Sequence, residues 1–178
     1  MKLQEFSVSI AEGNETDDGY VQMTHATPYT IVLCNDGDFR CDADVSVDGR
    51  LVGTWRVNKR ETVGLERPVH DTGRFTFYQT GTPEAAAAGI REDANTGLIR
   101  VIFKPEMRFF TLNSIDPLAA GGTGLSGQSA QRFTNVAALD HDEARFVTIT
   151  LRLVALAHRP RPLFPQSNPV PPPVGGSR

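Results

Sequence analysis

Five aspartates crowd one short stretch of this chain: Asp36, Asp38, Asp42, Asp44 and Asp48. Carboxylate oxygens are the ligands that hard cations take, and Asp36, Asp38 and Asp42 are the candidates for a calcium site. The spacing departs from the EF-hand loop, which needs a central Gly and a late Glu. Turn residues beside a solvated strand face account for the same pattern more simply. The four histidines, His25, His70, His141 and His158, are scattered without ligand spacing. His141 sits among Asp140, Asp142 and Glu143, a setting for acid–base or metal chemistry, though also that of an ordinary surface turn. No Ser sits in a nucleophile elbow, and neither Cys has a cue of activation. Carboxylate pairs of the glycosidase kind converge only in a fold and leave no spacing to read. The expectation is a protein that is not an enzyme and holds no metal and no cofactor.

Residues 119–131, AAGGTGLSGQSAQ, contain Gly121, Gly122, Gly124 and Gly127. A phosphate cradle of the Walker type needs Gly-Lys-Ser/Thr after the loop, which is absent. The dinucleotide fingerprint needs a helix pattern to follow, and none does. A structureless segment as long as 113–131 is uncommon in a compact domain and often functional; a surface loop, or one ordered against a partner, accounts for it more simply than a phosphate site. Trp55, Phe39, Tyr20 and Tyr29 are candidates for a sugar-stacking platform. Trp55 shares the parity of Val57, however, and that points it into a core.

These residues must be positioned by strands. Ala43, Val45 and Val47 alternate with Asp44, Ser46 and Asp48, the period of two that places apolar side chains on one sheet face. Asp48-Gly49 supplies turn chemistry for positive φ. Gly53, Trp55 and Val57 then oppose Val52, Thr54 and Arg56. Val63 and Leu65 alternate with Gly64 and Glu66, and Pro68 ends that strand. Phe75 and Phe77 follow. The block 40–78 thus predicts four successive strands. Elsewhere the alternation predicts strands at 6–10, 20–25, 29–34, 98–103, 133–139 and 146–157. Residues 29–34, apolar or β-branched on both faces, predict a central strand covered on both sides. Residues 12–19 predict a polar loop. The one helix is short: Thr82 suits the N-cap, Pro83 the first position and Gly89 the stop.

Cys34 and Cys41 flank the loop 35–40. Leu33 and Val45 face the core, so Cys41 points in and Cys34 out, and parity opposes a bridge.

With 178 residues, 39% hydrophobic and 22% charged, the chain suits one folded body. No apolar run approaches the roughly 20 residues of a membrane span, and the first residues carry no recognisable signal peptide. A net charge of −3 gives no positive excess for nucleic acid. Residues 1–158 are expected to form a β-sandwich domain and 159–178 an extended arm, RPRPLFPQSNPVPPPVGGSR. That arm holds seven of the twelve prolines. Polyproline chain makes no internal hydrogen bonds, so a neighbouring subunit or its own sandwich must hold it.

The predicted fold is all-β: a two-sheet antiparallel sandwich of jelly-roll or Greek-key type, with one short helix and the Pro-rich C-terminal arm. An immunoglobulin-type sandwich is the alternative, but its Cys…Trp…Cys spacing is missing. The strand series 40–78, the strand 98–103, the closing strand 146–157 and the arm after His158 give the chain a likeness. In architecture it resembles the single jelly-roll proteins that build virus and phage particles. The resemblance implies a structural subunit of a virion or similar assembly (capsid, decoration or tail component) that binds copies of itself or other structural proteins. It transfers no functional residue. The contacts are expected from Arg159, Arg161, Leu163, Phe164 and Pro171 of the arm and from Gly122 and Leu125 of the loop. Arg159 and Arg161 are expected to meet an acidic surface such as the Asp-rich hairpin. The alternative is a carbohydrate-binding or adhesin module, with a glycan stacked on exposed Trp55 or Tyr29.

Overall fold

The computed structural model describes residues 1–107 and 134–156. In chain order its strands are β1 (Lys2–Leu3), β2 (Phe6–Ile10), β3 (Asn14–Glu15), β4 (Tyr20–Met23), β5 (Thr27–Pro28) and β6 (Ile31–Asn35). There follow β7 (Cys41–Val47), β8 (Arg50–Val57), β9 (Glu61–Leu65), β10 (Thr76–Phe77), β11 (Leu98–Pro105) and β12 (Val147–Ala155). They form a four-stranded sheet in the order β1-β2-β6-β9 and a six-stranded sheet in the order β3-β4-β12-β11-β7-β8. A two-stranded piece joins β10 to β5. The protein is mostly β, as the alternation predicts.

One apolar core lies between the two larger sheets. Phe6, Val8, Ile31 and Leu33 meet Ala43, Val45, Val101, Phe103 and Leu151 there, all 1% exposed or less. The Phe6 and Phe103 rings stack across the interface with centroids 4.5 Å apart, and Phe39 closes on Phe6 edge-on at 6.0 Å. Burying a Phe of this kind is worth about 2–3 kcal/mol. Cys41 is buried and Cys34 half-buried, both as free thiols, in agreement with the parity argument.

The hairpin of β7 and β8 turns at Asp48 (φ 49°) and Gly49 (φ 76°), the left-handed pair that a two-residue hairpin loop requires. The helix α1 (Pro83–Ala87) starts at Thr82, whose hydroxyl accepts from the Ala85 N–H at 3.2 Å. Gly89 follows at φ 72°. A helix of one and a half turns cannot hold itself; buried Ala85 pins it to the body.

Four expectations need correction. The sheets are not purely antiparallel: β4 runs parallel to β12, with Tyr20 beside Arg152. The chain leaves the small sheet after Ile10 and enters the large one in the direction of β12, so neighbours in this ladder such as Tyr20 and Arg152 lie 132 residues apart in sequence. The polar loop 12–19 contains β3, which pairs Asn14 with Gln22. Residues 134–139 form no strand. They run over the outer face of β8, where the Ala137 carbonyl accepts from Arg56 Nη2 at 2.9 Å, and have no ladder partner. Finally β6 is central, between β2 and β9, but Val32 and Cys34 on its outer face are only half-buried.

Candidate functional site

The aspartates of the hairpin point to separate cations. Asp36 Oδ2 takes Lys2 Nζ at 2.6 Å. That hydrogen bond is the main reason its carboxyl sits below its ordinary range. Asp38 pairs with Arg60 at 2.7 Å. Asp42, 8% exposed, accepts from Arg56 Nε at 2.5 Å and lies 2.9 Å from His141 Nε2. Asp44 pairs with Lys104 and accepts from Thr54 Oγ1 at 2.7 Å. Among the described residues no three His, Cys, Asp or Glu side chains gather as a metal set. The loop itself is fixed from inside. Buried Asn35 donates to the carbonyls of Phe39 and Asn58 at 2.7 and 3.0 Å, and its oxygen accepts from the Gly37 N–H.

The proposed sugar platform does not form. Trp55, Phe39, Tyr20 and Tyr29 are each 4% exposed or less. Trp55 lies on the inward parity of β8, as its alternation with Thr54 and Arg56 requires. Phe39, carried on the loop before β7, is drawn inward against Phe6, and Tyr29 stacks on Phe75 at 5.6 Å.

The concave feature of greatest interest lies at the end of β12, a cleft of about 290 Å3. Buried Phe77 and half-buried Tyr78 and Ile90 supply apolar surface, and Leu153 to Ala155 line it from the strand. Asp48, Glu92 and Asp93 bring three carboxylates against one guanidinium, Arg152. Arg152 is 2% exposed. Its Nη1 donates to the Thr96 carbonyl at 2.6 Å and its Nη2 to the Ala94 carbonyl at 2.8 Å. A charge so deep needs such partners, since burial without them costs several kcal/mol. Desolvation drags its pKa below the usual guanidinium range, while the nearby Tyr20, Asp48 and Asp93 act the other way.

Asp48 Oδ1 accepts from the Gly97 N–H at 2.7 Å. Asp48 as a residue is exposed, but its carboxyl is turned toward Gly97 and screened from water. That desolvation raises its pKa, helped by the charge of Asp93 and opposed by the Gly97 hydrogen bond. Gly97 (φ 75°) has no room for a side chain: a Cβ there would lie 2.5 Å from the Leu153 carbonyl oxygen. Asp93 caps its own loop, accepting from the N–H groups of Asn95 and Thr96 at 2.7 and 3.1 Å. Glu92 is exposed and has no ion-pair partner among the described residues.

Sequence reasoning missed this cleft. Its residues come from five separated stretches, and only the Asp48-Gly49 turn and the alternation at 146–157 are visible as local signals. The expected contact residues Gly122, Leu125, Arg159, Arg161, Leu163, Phe164 and Pro171 lie outside the described residues, as do the glycine loop and the arm. No protein-family model, no curated protein and no solved structure significantly matches this chain.

Proposed function

We propose that this chain is a structural subunit of a large protein assembly, of the kind that builds a virion capsid, decoration or tail. Its sandwich supplies a rigid body, and residues 159–178 make contacts between subunits. The observation that carries this reading is the gathering of seven of the twelve prolines in that segment, directly behind a strand with no vacant flank. β12 is hydrogen-bonded to β4 on one side and β11 on the other. Proline-rich chain leaving such a strand has neither the donors nor a place in the ladder to continue the sheet. Its cohesion must come from another surface.

The neighbour order supports a Greek-key body of immunoglobulin type over a jelly roll. Lettered along the chain, β2, β6 and β9 stand as A-B-E, and β12, β11, β7 and β8 as G-F-C-C′, with no strand D among the described residues. Fold alone does not fix a role, so the assembly reading rests on the arm. Removing residues 159–178 and comparing sedimentation with that of the full chain tests it. The truncated body is expected to keep its β circular dichroism and lose self-association. Unchanged association would end the proposal.

A further inference from the structure

The acidic hairpin is the obvious landing place for Arg159 and Arg161, but its carboxylates are taken. Asp36, Asp38, Asp42 and Asp44 are each held by a basic side chain of the same body. The cleft at the end of β12 is different: three carboxylates face one guanidinium there, and Glu92 is unpaired among the described residues. Beside these charges stand Phe77, Tyr78 and Ile90. Half-buried Tyr78 and Ile90 leave apolar surface beside these carboxylates, as a proline segment flanked by arginine requires: the ring and the aliphatic chain take the proline faces and the acids take the guanidinium. The chain contains such a segment in residues 159–165, RPRPLFP.

Resting on the assembly reading above, we propose that this cleft is the receptor for the Arg-Pro-Arg-Pro segment of a second copy of the chain. Arg159 or Arg161 meets Glu92 at the mouth, and the prolines pack on Tyr78 and Ile90. Direction favours a second copy over the chain's own arm. The cleft reaches back along β12 from Ala155 to Arg152, whereas the chain leaves forward, with the Leu156 N–H bonded to the Met23 carbonyl at 2.9 Å. Residues before proline are held extended. Arg159 already precedes a proline, so a chain returning to its own cleft would have to reverse within residues 156–158. A segment that leaves one body and seats in the next either closes a reciprocal pair or propagates into rings or filaments.

The test is a charge swap in the full chain, read by sedimentation velocity. Glu92 is exposed and holds nothing in place, so Glu92→Arg leaves the body intact. Glu92→Arg alone, and Arg159→Glu with Arg161→Glu alone, are each expected to weaken self-association about tenfold or more, because like charges then meet. Mixing the two variant chains is expected to restore association, each supplying the half that the other lacks. If both variants associate like the parent, or the mixture stays as weak as its parts, the cleft is not the receptor. If removal of 159–178 still abolishes association in that case, the assembly reading survives and only the site is wrong. If that truncated chain associates normally, both fall.

Discussion

Arg152 Nη1 donates to the carbonyl oxygen of Thr96 at 2.6 Å, across 56 residues of sequence. Together with the bond from Nη2 to Ala94, this fork ties the last strand to the loop that precedes β11. Arg152→Ala strands two carbonyls and is expected to cost about 2–3 kcal/mol in urea unfolding. Arg152→Lys should recover little, since an ammonium cannot reproduce the planar fork. Hydrogen exchange in 91–97 should rise in both variants; unchanged protection there would show that the loop is held by other means.

Asp48 gives a pH signature. Its carboxyl binds a proton more tightly in the folded chain than in the unfolded one, because the cleft desolvates it. The group therefore contributes stability below the ordinary carboxylate pKa and loses that contribution as pH rises through the raised folded value. Asp48→Asn removes the charge, keeps the acceptor for Gly97 and leaves Asn-Gly, a favoured hairpin turn. Its melting temperature should exceed the parent's at pH 7, and the gap should narrow toward pH 3. A gap that widens on acidification would contradict the assignment.

The two thiols should react very differently. Burial pushes the Cys41 thiol up to about 12, and its Sγ lies 3.7 Å from the Val57 carbonyl oxygen. Cys34 is half-buried, with its Sγ 3.3 Å from Asp36. A thiol reagent is expected to label Cys34 in the native protein and Cys41 only after unfolding. Rapid native labelling of both would mean that the β7 end of the core opens readily.

Among the described residues Asp42 and Arg56 form the least exposed ion pair, with side chains 11% and 10% accessible. Asp42→Ala leaves a nearly buried guanidinium without its carboxylate and is expected to cost about 3 kcal/mol. The same change frees His141 and loosens the grip of Arg56 on Ala137. Limited proteolysis should then cut within 134–141 sooner than in the parent.

What could be read in the sequence was what is local. The alternation of Ala43, Val45 and Val47 with aspartates and serine fixes the inward face of β7, and Asp48-Gly49 fixes its turn. Thr82, Pro83 and Gly89 bracket the helix because each acts within one turn of its own position. Arg152 shows where this reading stops. Alternation with Leu151 and Leu153 turns it to the outer face, and so it does turn, but the loop 92–97 then covers that face. No period in β12 carries the position of a loop 50 residues upstream. The cleft was hidden for the same reason. The parallel pairing of β4 with β12 was hidden too, since strands of either direction show one period.

That parallel pair has a consequence for synthesis. The N-terminal strands reach the ribosome's exit more than a hundred residues before β12, the strand that β4 must lie beside. Until then both β4 and β11 offer raw hydrogen-bonding edges. The nascent chain cannot close its body step by step. It must wait, exposed and open to chaperones, for β12.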